Sequence, residues 1–168
     1  MINLTDAWNF NELLKNFLNT PVLYNNIHLD PEQMKNHKQE LQNKLWYFFT
    51  THINDIGFRD CRYSGRVIRV LNCRKSRVEF DGIVTHWSCD IHSFVKQAKG
   101  FDFTKRYTWI SASIKDGFNV NQYYIYHNPH CEFECEVLYP MEESVVSDMF
   151  YGTYEEFQKH NERRTYEN

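Results

Sequence analysis

Histidine and cysteine recur at metal-ligand intervals in two places, His86-x-x-Cys89-x-x-His92 and His127-x-x-His130-Cys131-x-x-x-Cys135. Imidazole nitrogens and thiolates are the donors that structural zinc takes in fours. His86, Cys89, His92, His127 and His130 are therefore the candidate ligands. Neither run contains Cys-x-x-Cys, the strongest signal of this kind. The even spacing of Cys131 and Cys135 also suits two thiols on the buried face of a strand. The expectation is no bound metal, with a structural zinc as the alternative.

Carboxylates and arginines offer a second chemistry. Val78-Glu79-Phe80-Asp81-Gly82-Ile83-Val84 resembles the strand on which PD-(D/E)xK nucleases present their first metal-binding aspartate, which would be Asp81. Phe94-Val95-Lys96 departs from that family's E-x-K, because Phe94 stands where the acid belongs. One carboxylate does not hold a hard divalent cation, which needs several oxygen ligands.

Glu134-Cys135-Glu136-Val137-Leu138-Tyr139-Pro140 is similar to the E-x-E-V-L-x-P strand of arginine-type ADP-ribosyltransferases. Ser111-Ala112-Ser113 resembles the S-x-S strand that precedes it there, and Arg62 or Arg69 stands early enough to be the arginine. The resemblance implies NAD as cofactor, with Arg69, Ser111, Ser113, Glu134 and Glu136 as the site. The arginine would grip the pyrophosphate, a serine would orient the glutamate, and the carboxylate would stabilise an oxocarbenium at the ribose. The pattern departs from the family in its spacing, since only twenty residues separate Ser113 from Glu134. The alternative reading of Glu132, Glu134 and Glu136 is the solvent face of an edge strand, paired with arginines across the sheet. That reading is preferred.

Other chemistries are excluded. The six glycines form neither G-x-G-x-x-G nor G-x-x-x-x-G-K, so no glycine loop cradles a phosphate. No G-x-S-x-G nucleophile elbow is present. His86-Trp87-Ser88 has no second His-x-Ser or His-x-Thr to complete a two-histidine phosphodiesterase motif.

The net charge of −3 argues against general nucleic-acid binding, which needs a cationic surface. Arg62, Arg66, Arg69, Arg74, Lys75 and Arg77 fall within sixteen residues, and a solvated sheet face is the preferred reading of them. Five cysteines, an odd number, with no secretory pattern ahead of them suggest thiols in a reducing, cytoplasmic compartment. No apolar run reaches membrane-spanning length. Sixteen asparagines, with many Lys, Tyr, Ile and Phe, suit an A/T-rich genome such as that of many phages.

The elements that must position these groups read as helices, then a sheet, then helices. Asn9 and Glu12 form one capping box, and Asp30, Pro31 and Gln33 start a longer helix reaching about Ile53. From Arg62 the period becomes two. Strands are expected at 67–71, 77–82, 106–115, 121–127 and 131–139, with a short helix after Asp90 and a hairpin at Asp116-Gly117. Residues 142–151 read as helix, and Thr153 to Glu156 cap a last one.

The whole implies a single α+β domain: helical over 1–56, mainly a largely antiparallel sheet of about five strands over 62–140, and helical over 141–165. The function that fits best is a small non-catalytic binding protein, a phage- or mobile-element-type inhibitor or accessory factor acting on a protein partner. Aromatic side chains dominate such interfaces, and Trp87, Trp109, Tyr123, Tyr124 and Tyr126 are the candidates. The alternatives are the ADP-ribosyltransferase-like enzyme and a sponge that binds a nucleotide without turning it over.

Overall fold

The structure is a computed structural model that describes residues 10, 12–14, 30–97, 101–120 and 136–167. Helix α1, Pro31–Thr51, begins on a capping box. The Gln33 N–H donates to Asp30 Oδ1 at 2.8 Å, and the Asp30 N–H donates to Gln33 Oε1 at 3.1 Å. Two otherwise orphaned donors are thereby satisfied. Leu41, Leu45 and Phe49 fall on one stripe and are buried. A short helix α2, Ile56–Arg59, leads into strand β1, Arg62–Leu71. Strand β2, Val84–Ser88, helix α3, Ile91–Gln97, and strand β3, Tyr107–Asn119, follow. Strands β4, Glu136–Pro140, and β5, Val146–Gly152, precede helix α4, Tyr154–Glu167.

All pairings are antiparallel, and the strand order is β1-β2-β4-β3-β5 with β1 also paired to β3. The first four strands therefore close on themselves, and β5 extends the free part of β3. The long ladders are β1–β3 and β2–β4. Closure rests on Ile68 opposite Ser88, and on Phe118 and Asn119 opposite Leu138 and Val137.

Alternation along the strands divides the core. Val67, Trp87, Ile110, Ala112, Ile114 and Val137 fill the inside of the curl. On the outside, α1 covers Val84, Phe118 and Leu138, with Phe49 stacked on Phe118 at 4.6 Å. Farther round the outside, Ile68, Val70, Tyr107 and Trp109 pack against Phe157 of α4. The α+β class, the antiparallel sheet of five strands and the flanking helices agree with the sequence reading.

Three local expectations do not hold. Residues 77–82 are not a strand: Lys75–Arg77 is a 3₁₀ turn, and the chain then runs without a ladder to β2. Val78 and Phe80 pack on the inner cluster instead, so their alternation plugs the curl and builds no strand. Asp116-Gly117 is not a hairpin, because β3 passes straight through it. Asp116 has φ 58° opposite an irregularity in β1 at Tyr63/Gly65. A Cβ on Gly117 would lie 2.7 Å from both Ile114 Cδ1 and Val137 Cγ1. The Asp-Gly pair thus acts as a kink that carries β3 from β5 over to β4. Residues 146–151, read as helix, belong to β5, Val146–Gly152, whose Val, Met, Phe and Tyr side chains suit a pleated surface. Of the stretch expected to be helical from 141, only a 3₁₀ turn at Glu143–Val145 precedes β5, and the α-helix begins at Tyr154.

Candidate functional site

Helix α4 starts on a reciprocal cap, in which the Glu156 N–H donates to Thr153 Oγ1 at 3.2 Å and the Thr153 N–H to Glu156 Oε1 at 3.4 Å. Its sheet-facing stripe is Phe157, His160, Asn161 and Arg164, at i, i+3, i+4 and i+7. The stripe changes character along its length. Phe157 is fully buried and stacks on Trp109 with ring centroids 4.6 Å apart. One turn later His160 stacks on Phe150 at 4.5 Å. Beyond it the stripe is polar, and so are the strands beneath.

Asp148 of β5 and Ser111 of β3 are register partners on that face. Asp148 Oδ2 accepts from His160 Nε2 at 2.7 Å and from Arg164 Nη1 at 3.1 Å. A carboxylate only accepts, so Nε2 carries the imidazole proton. Arg66 of β1 reaches the same place, its Nη2 donating to Ser111 Oγ at 3.2 Å and to Asn161 Oδ1 at 2.9 Å. Burial and the nearby Arg164 hold the Arg66 guanidinium below its ordinary value, and Asp148 opposes them. Two guanidinium groups, an imidazole, an amide and a hydroxyl thus converge over one carboxylate.

The residues singled out from sequence are distributed differently. Ser111 lies in this cluster, fully buried, and Ser113 is exposed on the same face. Arg69 points the other way, into the curl, where its Nη1 donates to the His86 carbonyl at 2.8 Å. Burial pushes its pKa down to about 10, against the pull of Asp81. Glu136 shares the outer row of Ser88, Ile68 and Ser111. Along that row β2 and β1 lie between Glu136 and Ser111. The structure therefore does not bring Arg69, Ser111 and Glu136 together. Glu134 lies outside the described residues.

The histidines also part company. His86 sits under α1, its Nδ1 accepting from Gln42 Nε2 at 3.1 Å. Burial drives its pKa well below the usual histidine value, helped by Lys38 and Arg69. His92 Nδ1 lies 2.7 Å from the Tyr154 hydroxyl. Among the described residues no three His, Cys, Asp or Glu side chains gather as a metal site. His127, His130, Cys131 and Cys135 lie outside them. Asp81 spends one carboxylate oxygen on the Ile83 N–H at 3.0 Å, and Phe94 to Lys96 are helical.

Trp87 and Trp109 are core residues and not a recognition surface, being 1% and 0% exposed. Each indole is tied to a backbone carbonyl, Trp87 to Tyr139 and Trp109 to Gly152. Tyr123, Tyr124 and Tyr126 lie outside the described residues. Arg66 projects outward and Arg69 inward, while Arg74, Lys75 and Arg77 are exposed at a turn, so the arginine-rich segment forms no single basic track. No described helix is long and apolar enough to cross a membrane.

Asp148, His160, Asn161 and Arg164 escaped the sequence reading, and Arg66 entered it only as one of a run. The helical spacing from Phe157 to Arg164 was the available signal. The chain matches no protein-family model, no curated protein and no solved structure.

Proposed function

We propose that the chain is a non-catalytic binding protein of the inhibitor or accessory type, which takes an extended segment of a protein partner along the outer edge of β5. The observation that carries this reading is the position of β5 at the end of the sheet. Among the described residues it pairs with β3 alone. An open edge offers backbone donors and acceptors in a row, the template for strand addition. Ser147 and Tyr151 are exposed along it, and an exposed tyrosine is a common interface anchor. The separation of Arg69, Ser111 and Glu136 weighs on the same side, since the transferase reading needs them at one point.

Ser147→Lys combined with Tyr151→Lys sets two charges on the edge, a device that blocks strand addition. The wild-type chain is expected to retain a near-stoichiometric protein from lysate, and the double variant to lose it while unfolding at a similar temperature. Equal retention by both proteins would overturn the reading. So would a wild-type chain that retains nothing, or one that pairs only with itself by light scattering.

A further inference from the structure

We propose that the cluster between α4 and the sheet is a binding site for a phosphate monoester, with Arg66 and Arg164 as its cationic arms. The inference does not depend on the edge of β5.

The charge balance is the first support. Asp148 is the carboxylate of the cluster, and it is engaged by Arg164 and His160. Arg66 forms no ion pair among the described residues, although it is held by Ser111 and Asn161. The two arginines and Asp148 leave one net positive charge. Partial burial and Arg164 act against the charge on Arg66, and Asp148 supports it. An anion between the two guanidinium groups relieves that repulsion.

Pre-organisation is the second support. A long arginine loses conformational freedom when it grips a ligand. Here Arg66 is already fixed through Nη2, which leaves Nε and Nη1 to donate. Arg164 is fixed through Nη1, which leaves Nη2. Fork-shaped donors of this kind match the oxygens of a phosphate. Arg66 is exposed and Arg164 partly so, so the anion can enter from solvent. The third support is the break in pattern. A helix stripe that begins with the fully buried Phe157 turns polar where the strands beneath it turn polar, and such a break in an otherwise apolar pattern is expected at a functional site.

The monoester could be carried by a nucleotide or by a phosphorylated side chain, which share this chemistry. The test titrates the full chain with AMP and, separately, with O-phosphoserine. Calorimetry and the thermal midpoint are the readouts, with sodium chloride at matched ionic strength as control. Saturable binding of at least one monoester is expected, absent with chloride. Arg66→Gln should weaken it at least tenfold, and Arg163→Gln, an exposed arginine one position from Arg164, should leave it within twofold. AMP alone binding assigns the site to nucleotides, and phosphoserine alone binding assigns it to phosphoproteins. No saturable binding by either monoester overturns the proposal. So does equal weakening by Arg66→Gln and Arg163→Gln, which would reduce the effect to general surface charge.

Discussion

Replacing Arg69 by methionine should leave the protein as stable as before or slightly more so, although it deletes a buried charge and its hydrogen bond. The guanidinium lies inside the curl, and burial pushes its pKa more than two units down, to about 10. One pKa unit corresponds to about 1.4 kcal/mol, so the folded state disfavours the charged form by roughly 3 kcal/mol. Methionine fills a similar volume and removes that cost. It also strips the His86 carbonyl of its donor, which costs about 1–3 kcal/mol. The two effects nearly cancel, as in other exchanges of buried ions for hydrophobes. Arg69→Met is expected between no change and about 2 kcal/mol of added stability in urea unfolding followed by tryptophan fluorescence. Arg69→Ala adds a void and should fall about 2–4 kcal/mol below the methionine variant. The folded pKa is the lower one, so the charge penalty is complete below pH 10 and wild type gains on Arg69→Met only above it. A loss of more than about 3 kcal/mol in Arg69→Met would refute the reasoning. The guanidinium would then be a structural tie across the β1–β2 seam, where the ladder has one bridge.

His86 stays neutral in the folded state, because its pKa lies well below 6.5. The unfolded chain takes up that proton as pH falls through 6.5, so stability should drop on acidification by up to about 1.4 kcal/mol per pH unit. His86→Asn, which keeps an acceptor for Gln42, should flatten the slope between about pH 6.5 and 5 in the same unfolding assay. Phe157→Ala removes the ring stacked on Trp109 and should cost about 3–5 kcal/mol. Hydrogen exchange in α4 should rise more than in α1. Asp30→Ala deletes one half of the capping box and should cost about 1 kcal/mol by thermal unfolding.

Three helix starts were legible because each is a local event, whereas the short α2 was not read as a helix. Asp30 with Gln33, Asp90 with Ser93 and Thr153 with Glu156 all form the caps that their spacing announces. The strands were legible only where burial alternates or β-formers run together, as in β1 and β3. Val78 and Phe80 alternate without pairing, since their partners are side chains inside the curl. Strand β5 carries Val146 and Met149 toward one packed surface and Asp148 and Phe150 toward another. A segment covered on both faces shows no clean period of two. The candidate site needed the ladder as well. Ser111 and Asp148 meet only because β5 pairs with β3, and Arg66 joins them only because β1 pairs with its other edge. None of those neighbours is close in sequence.

The closed curl also bears on how the chain reaches its fold. Among the described residues the long ladders join strands two apart in order: β1 with β3, β2 with β4, and β3 with β5. Val67 waits for Ala112, His86 for Leu138 and Ile110 for Met149, separations of roughly 40 to 50 residues that must be closed before any contact rewards them. A topology of this kind is expected to fold on the order of milliseconds to seconds. During synthesis, β1 leaves the ribosome with Val67 and Val70 lacking their ladder partners until β3 has emerged, since β2 offers it one bridge, Ile68 to Ser88. The growing chain therefore spends that interval as an aggregation-prone strand, for which a chaperone is the natural shelter.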